Sequence, residues 1–342
     1  MLFTTVSAIF LASGVLATPA KIRKHTDPNT GLVWISNNSS LPKIMLYNTG
    51  DGTIISGSTF GRLDNLNYGG GIGRLTPESL IAAVPEVLSI AQIAVVNFTG
   101  GSAGPGSANA NADQYLNISK DATTRLCNPG TDIIGAVMIH GTNTLAETAF
   151  GVDITLNCSS PFVTTGSMRP NSALSAEGPL NFYDAVRIAV HPEARDRGGM
   201  LAFNDHVVSA FYATKTNGNA VTTFVDNERG FIAQILGGQP YFYNSPSLPK
   251  ARPYFDPYAI DYNRSIPLVP ILYTHQGFDA QLIYDAVANG AKGIVLMGSG
   301  AGAISTAATA AANNVSSQGI IVVDSLRPSY GASIPPPLPG AM

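Results

Sequence analysis

A seven-residue apolar run that leads directly into a polar segment is the feature that most constrains the fold of this chain. The run Ile133–Ile139 has the length and composition of a buried strand, and the segment from His140 to Phe150 starts polar and continues with a helical pattern. A strand followed by a helix is the repeating unit of an α/β sheet. Polar side chains at the carboxyl end of such a strand face the crevice in which open α/β sheets bind ligands. We therefore expect a binding or catalytic site here.

Short apolar segments alternate with helical patterns along most of the chain, and this alternation predicts a doubly wound parallel sheet. Thr76 is expected to cap a helix that begins with Pro77, because a hydroxyl accepts from the first turn and proline suits the first helical position. The predicted strands of this first unit span residues 44–47, 90–98, 133–139 and 162–164, and its predicted helices span 77–88 and 181–190.

The same patterns divide the chain into two α/β units joined by a linker. We assign residues 43–238 to the first domain, residues 239–267 to a linker rich in proline and tyrosine, and residues 268–342 to a smaller α/β domain. The smaller domain has predicted strands at 269–273, 293–297 and 319–323 and helices at 279–288 and 304–313. Residues 18–42 resemble a polar leader, and the prolines from residue 335 onward exclude a helix or a central strand.

The net charge, the N-terminal segment and the glycosylation sequons indicate where in or outside the cell the protein is found. The net charge of −3 gives no electrostatic argument for binding nucleic acid, and beyond the N-terminus no apolar run is long enough to span a bilayer. Residues 1–17 resemble a signal peptide that is cleaved after Ala17, and Ala20 is the alternative cleavage site. Seven Asn-x-Ser/Thr sequons begin at Asn37, Asn38, Asn97, Asn117, Asn157, Asn263 and Asn314. We therefore expect a secreted glycoprotein, released or held in the cell wall or periplasmic space.

Two glycine-rich turns follow predicted strands. The first, Thr-Gly-Asp-Gly-Thr-Ile at residues 49–54, could offer backbone N–H groups to an oxyanion beside a nucleophilic Thr53. A simple tight turn, or a phosphate loop without its lysine, is the alternative. The second, Gly-Ser-Gly-Ala-Gly at residues 298–302, suggests a nucleotide loop, but it has neither the spaced third glycine nor an acidic ribose partner.

Four blocks in the same order resemble the type II L-asparaginases. Residues 140–149 are similar to His-Gly-Thr-Asp-Thr-Met-Glu-Glu-Thr-Ala, residues 49–54 to Thr-Gly-Gly-Thr-Ile with Asp51 inserted, residues 214–217 match Thr-Lys-Thr-Asn, and the block at 166–186 matches closely. The resemblance implies a flavodoxin-like domain, a smaller C-terminal domain and a homotetramer with sites at subunit contacts. It also implies a threonine that attacks the side-chain amide of L-asparagine, an acyl-enzyme, and release of ammonia and aspartate, with no metal or cofactor.

The resemblance also implies the residues of the site. Thr53 would be the nucleophile, Tyr68 would hydrogen-bond it from a flexible lid, and Lys215 would act on Thr142 as a base or an electrostatic helper. Ser107, with Ser102 as its rival, would hold the α-carboxylate of the substrate, and Asn143 occupies the position of the aspartate that binds the α-ammonium. The block at 166–186 is interpreted as architectural.

Cys127 and Cys158 lie on either side of the Thr142 signature. In the bacterial type II enzymes a disulfide joins the same two places, so the resemblance implies a Cys127–Cys158 bond. In an oxidising compartment it would close a loop of about thirty residues, worth roughly 3–4 kcal/mol in the chain-entropy model. A free or metal-binding pair is the alternative, and no cluster of histidines or aspartates accompanies it.

Three departures from the family bear on activity. Asn143 removes a charge used by two cations, so a loss of roughly tenfold to several thousandfold is expected, and a buried Lys215 should have a lowered pKa. Asp51 lengthens the nucleophile loop. No acidic residue follows Asp324, and the final strand and helix of the family are lacking, so we expect an incomplete C-terminal domain with exposed apolar surface. The sequence thus supports a weakly active L-asparaginase. The alternative is a catalytically dead secreted glycoprotein that keeps the fold as a binding or structural module.

Overall fold

A ten-stranded sheet forms the centre of the larger unit. The computed structural model describes residues 22–36, 38–50, 52–68, 74–98, 106–260 and 266–333. The strands are β1 (Arg23–Thr26), β2 (Val33–Ser36), β3 (Lys43–Asn48), β4 (Gln92–Asn97), β5 (Ile133–Ile139), β6 (Phe162–Thr165), β7 (Gly199–Phe203), β8 (His206–Ser209), β9 (Thr214–Lys215), β10 (Phe224–Val225), β11 (Ala233–Leu236), β12 (Gln239–Phe242), β13 (Ile271–Tyr273), β14 (Gly293–Gly298) and β15 (Ile321–Leu326). The α-helices are α1 (Pro77–Ala83), α2 (Ala112–Leu126), α3 (Leu145–Thr155), α4 (Gly178–Ala189), α5 (Gln281–Ala288) and α6 (Thr306–Ser317).

Some predicted features lie outside the described residues. These are the signal peptide, Asp51, the lid glycines 69–71, Ser102, the sequons at Asn37 and Asn263, and the proline-rich tail from residue 334.

The strand order confirms the predicted fold class. The sheet runs β1-β2-β4-β3-β5-β6-β7-β8-β11-β12, and the five strands β4-β3-β5-β6-β7 are parallel. Counted along the chain, these five strands follow the order 2-1-3-4-5 of flavodoxin-like domains. The chain leaves β3 towards β4 on one side and later returns to place β5 on the other. Ligands of such sheets bind at this switch point, between the carboxyl ends of β3 and β5.

Two apolar layers cover the parallel strands, because successive side chains of a strand point to opposite faces. Leu46 and Val137 pack on α1 and α4, whereas Met45 and Ala136 pack on α2 and α3. Strands buried on both faces are continuous apolar runs, which is why β5 was predicted with its correct ends.

Helix α1 is shorter than the helix predicted over residues 77–88. It begins as expected, with Pro77 in its first turn and the Thr76 hydroxyl accepting from the Ser79 N–H at 3.1 Å. It ends at Ala83 because Val84 precedes Pro85, and a residue before proline disfavours the helical conformation. A 3₁₀ helix, Pro85–Ser89, follows.

The interpretation of residues 18–42 as a leader without periodicity is wrong for the part that the structure describes. β1 and β2 pair antiparallel and join the edge of the sheet through β4. Trp34 is only 2% exposed. Every residue of β1 is exposed and each strand has four residues, so the apolar pattern was too short to predict them.

The first residues of the expected linker belong to the large sheet. β12 pairs with β11 and is the edge strand of the sheet. Pro240 is tolerated there because no further strand needs a hydrogen bond from the N–H group that proline lacks. Later in this segment Arg252 Nε donates to Asp153 Oδ2 at 2.9 Å, and both side chains are buried. The Phe255 N–H donates to the Ile154 carbonyl at 2.9 Å, so this stretch packs along α3.

The smaller unit is a β-α-β-α-β arrangement, as predicted. β13, β14 and β15 are parallel in that order, and α5 and α6 cover one face. On the opposite face, Ile271, Tyr273, Ile321 and Val323 are between 49% and 68% exposed.

Candidate functional site

The loops that follow β3 and β5 meet backbone to backbone at the switch point. A Cβ atom on Gly52 would lie 2.7 Å from the Gly141 Cα, and Gly52 has φ +106°. Both the contact and the dihedral therefore require glycine. A Cβ on Gly141 would in turn lie 2.6 Å from Ser107 Oγ. These contacts bring Thr53, Thr142 and Ser107 to one end of the sheet.

Thr53 begins a buried 3₁₀ helix, Thr53–Ile55, and is 2% exposed. Its hydroxyl donates to the backbone carbonyl of Ser167, which follows β6. The Thr53 carbonyl accepts from the Asn171 N–H at 3.2 Å. The hydroxyl is therefore held on the side of the loop that faces the carboxyl end of β6.

Thr142 and Lys215 form a direct pair although 73 residues separate them. Lys215 Nζ donates to Thr142 Oγ1 at 3.0 Å. The short β9–β10 hairpin pairs Lys215 with Phe224, a buried residue that packs in the same apolar cluster as Leu145. The hairpin thus docks against the start of α3 and delivers the lysine to the threonine. Burial lowers the pKa of Lys215, and the charge of Glu147 acts in the opposite direction.

Ser107 contacts the same loop from a third segment. It is 3% exposed, and its Oγ accepts from the Asn143 N–H at 3.2 Å. Its carbonyl accepts from Thr144 Oγ1 at 2.7 Å. Asn143 is exposed, and its backbone N–H makes the contact. Ser107 and Asn143 are therefore neighbours, and their roles in binding the two ends of one small substrate stay predictions.

Tyr68 is not brought to Thr53. It is 43% exposed, and its hydroxyl makes no hydrogen bond with any residue that the structure describes. The preceding loop is organised instead by Asp64, which accepts from the Ser58 hydroxyl and from the N–H groups of Leu66 and Asn67. These hydrogen bonds lower the pKa of the Asp64 carboxyl. The lid role of Tyr68 stays a prediction.

Comparison with known protein families adds to this geometry. Residues 43–248 match the family model "Asparaginase, N-terminal", and residues 268–336 match "Glutaminase/Asparaginase C-terminal domain". The chain belongs to the asparaginase family.

Individual asparaginases are similar over most of their length. "Probable L-asparaginase 3" of Schizosaccharomyces pombe is 36% identical over 88% of this chain and 79% of that protein. "L-asparaginase 2-3" of Saccharomyces cerevisiae is 36% identical over 97% of this chain and 86% of that protein. The crystal structure of a probable cytoplasmic L-asparaginase from Campylobacter jejuni is 30% identical, with a TM-score of 0.74 over 84% of each chain.

Sequence reasoning missed contacts of the asparaginase site that come from backbone and helix positions. Ser167 was assigned to an architectural block, yet its carbonyl accepts the hydroxyl hydrogen bond of Thr53. Its place directly after a predicted strand next to β5 was a signal that could have identified it.

His140 is 1% exposed, with Nδ1 donating to the Gly141 carbonyl at 2.8 Å and Nε2 lying 3.1 Å from the Gln114 amide oxygen.

A groove of about 510 Å³ lies beside the Thr142–Lys215 pair. Its wall includes Lys215 from β9, Glu147 from the first turn of α3, Tyr115 from α2, and the aromatic pair Phe150 and Phe211. The ring centroids of that pair are 5.4 Å apart. The groove wall therefore combines charged groups of both signs with an aromatic surface.

The two cysteines are joined, as the resemblance implied. The Cys127–Cys158 disulfide connects the end of α2 to the segment after α3, with the two Cα atoms 5.3 Å apart. It therefore encloses β5 and the loop that carries Thr142.

The described residues offer neither a metal centre nor a membrane-spanning helix. They contain no group of three or more histidine, cysteine or acidic side chains that could hold a metal ion. None of their helices is both long and apolar enough to cross a membrane.

Proposed function

We propose that this chain hydrolyses L-asparagine to L-aspartate and ammonia through a threonine nucleophile. The observation that carries the proposal is the convergence of Thr53 with the Thr142–Lys215 pair at the switch point of the sheet. A hydroxyl nucleophile needs a group that takes its proton, and a second hydroxyl bonded to a cationic lysine can accept that proton while it passes on its own. The same end of the sheet carries Ser107 and Asn143, which suit the polar ends of an amino acid.

The reaction has two steps of acyl transfer. In the first, Thr53 Oγ leaves its hydrogen bond to the Ser167 carbonyl and attacks the amide carbon of the substrate side chain. A C–O bond forms as the Thr53 proton passes to Thr142 Oγ1 and the Thr142 proton passes to the leaving nitrogen. The Lys215 ammonium stabilises the charge on Thr142 during this transfer, and the C–N bond breaks to release ammonia. In the second, water attacks the ester carbon, aspartate leaves, and the proton returns to Thr53.

Stabilisation of the oxyanion is assigned to backbone N–H groups of the two apposed loops. Because Gly52 and Gly141 have no side chains, the carbonyl of a substrate can approach the backbone closely there. The hydroxyl of Ser107 would donate to the α-carboxylate. The neutral Asn143 leaves the α-ammonium without a carboxylate, so we expect weak substrate binding.

The decisive experiment measures ammonia release from L-asparagine by protein taken from a monodisperse size-exclusion peak. We expect turnover that falls roughly 10³-fold or more in Thr53→Ala and in Thr142→Ala, because each removes a group that acts only in the chemical step. Thr309→Ala, an exposed threonine on α6, is the matched control and should retain full activity. Folded protein without turnover would contradict the proposal and favour the non-catalytic module.

We also propose that the protein is secreted and glycosylated. The sequon asparagines that the structure describes, which are Asn38, Asn97, Asn117, Asn157 and Asn314, are all exposed, so an oligosaccharide would meet no packed core. A mass decrease after treatment with peptide N-glycosidase, together with a mature N-terminus after Ala17, would support this location. An unprocessed chain without glycans in a secreting host would refute it.

A further inference from the structure

Lys215 is a half-buried cation, and no carboxylate of the described residues is in direct contact with it. Its ammonium group donates to Thr142 Oγ1 at 3.0 Å. The ion pairs formed among the described residues involve other side chains, and the neighbouring residue Asn143 is uncharged. Burial alone therefore favours the neutral amine, and it lowers the pKa of this lysine.

Glu147, an exposed residue, is the charged side chain that lines the groove together with Lys215, and its charge favours the protonated form of the lysine. It lies in the first turn of α3, where a negative charge is favourable to the helix, and its side chain lines the same groove as Lys215. The other titratable residue on that wall is Tyr115. Burial and the nearby Asp113 raise the pKa of its hydroxyl, so it is neutral in the physiological range.

We propose that Glu147 is a positioning residue for the catalytic lysine: across the groove, its carboxylate favours the ammonium form of Lys215 and so keeps the lysine as donor to Thr142. Because Asn143 is neutral, Glu147 carries the negative charge that remains beside Lys215 on this groove wall. The inference rests on the proposed role of the Thr142–Lys215 pair. Because there is no direct ion pair, the interaction is weaker than that of a contacting carboxylate.

The first test measures the ionisation of Lys215 itself. The sequence contains seven lysines, so protein labelled with ¹³C at the lysine Cε gives few signals, and Lys215→Arg identifies the one from Lys215. We expect Glu147→Gln to lower the titration midpoint of that signal by about half a pH unit. Glu147→Asp, which keeps the charge, should retain part of the wild-type value.

Glu78→Gln is the matched control, because Glu78 is an exposed glutamate in the first turn of another helix, α1. It removes the same charge from the same helical position and should leave the Lys215 midpoint unchanged. Equal midpoints in the wild type, Glu147→Gln and Glu78→Gln would overturn the proposal.

The second test follows kcat/KM for L-asparagine against pH. In Glu147→Gln, the limb of the profile that follows Lys215 should move to lower pH by the same amount, and adding Asn143→Asp should move it back. An unmoved limb would overturn the proposal. The NMR titration needs no turnover, so an inactive protein that still shows the shift would contradict the proposed function and support the charge effect of Glu147.

Discussion

Asn143 is the residue at which replacing the side-chain amide by a carboxylate is expected to change activity most directly. Its side chain is neutral and exposed beside Ser107, and within the described part of the chain no carboxylate contacts Lys215. We predict that Asn143→Asp raises kcat/KM for L-asparagine at least about tenfold, since about 1.4 kcal/mol suffices for this factor and charged hydrogen bonds contribute that much. Steady-state ammonia release measures it.

The control for this prediction is Asn29→Asp, which adds the same charge to an exposed turn far along the chain. It should leave kcat/KM unchanged. No gain from Asn143→Asp would mean that the loop containing Asp51, or the C-terminal part of the chain, limits the reaction.

Asp184 on α4 is a second residue with a defined electrostatic consequence. It is 1% exposed, and neither carboxylate oxygen has a hydrogen-bond partner among the described residues. Burial, with a smaller contribution from Asp205, raises its pKa to about 7. A raised carboxyl pKa means that the folded state binds the proton more tightly than the unfolded state. The contribution of Asp184 to the free energy of unfolding is therefore most favourable below pH 4 and falls as the pH rises towards 7.

We predict that Asp184→Asn increases the free energy of unfolding by an amount that grows between pH 4 and pH 7 and is constant above. The order of magnitude at pH 8 is about 4 kcal/mol, from three pH units at about 1.4 kcal/mol each. Urea unfolding at pH 4 and pH 8 measures it. Asp205→Asn should give a smaller gain with the same pH dependence, and a gain that does not vary with pH would refute the assignment.

At the scale of secondary-structure elements, Asp153 joins three parts of the chain. Its carboxylate on α3 accepts from the Gly199 N–H of β7 at 2.6 Å and from Arg252 of the linker at 2.9 Å. Burial nevertheless raises the pKa of Asp153. Removing the arginine would leave a buried carboxylate with one partner fewer.

We therefore predict that Arg252→Ala lowers the free energy of unfolding by about 3–5 kcal/mol, as for other buried pairs that lose one member. The loss should be larger at pH 8 than at pH 4, because burial raises the pKa of Asp153 and acid favours its neutral form, which needs no cationic partner. Asp132→Ala is the control. It breaks an ion pair with Lys43 whose carboxylate side chain is 71% exposed, and it should cost less than about 1 kcal/mol. Equal losses in chemical denaturation would contradict the role of burial.

At the scale of the whole molecule, the open sheet face of the smaller unit bears on assembly. Parallel sheets are normally covered on both faces, yet Ile321 is 68% and Ile271 64% exposed. We predict that a second copy of the chain covers this face in the homotetramer implied by the family resemblance. Ile321→Lys should reduce the mass measured by light scattering after size exclusion. Leu174→Lys, at an exposed leucine of the larger unit, should not, and an unchanged mass in both variants would refute the contact.

Local sequence pattern was enough to predict the fold class, seven of the fifteen strands that the structure describes and the edge of the sheet that carries the candidate site. Buried parallel strands are continuous apolar runs, so β5 could be located from local pattern alone, and the polar residues after it had to lie at its carboxyl end. The same reasoning failed for β1 and β2, whose short, partly exposed strands have no such run.

Which of the candidate residues contact one another could be learned only from the packing of distant segments. Lys215 reaches Thr142 across 73 residues because a two-residue strand docks against the start of α3, and no local periodicity encodes that docking. The Ser167 carbonyl bonds Thr53 because β6 lies next to β5, and Glu147 shares a groove with Lys215 because the hairpin lies over α3. The chemistry of each side chain can be read from its position in the sequence. Which side chains form a pair depends on the order of strands in the sheet, and that order is established only when the whole core packs.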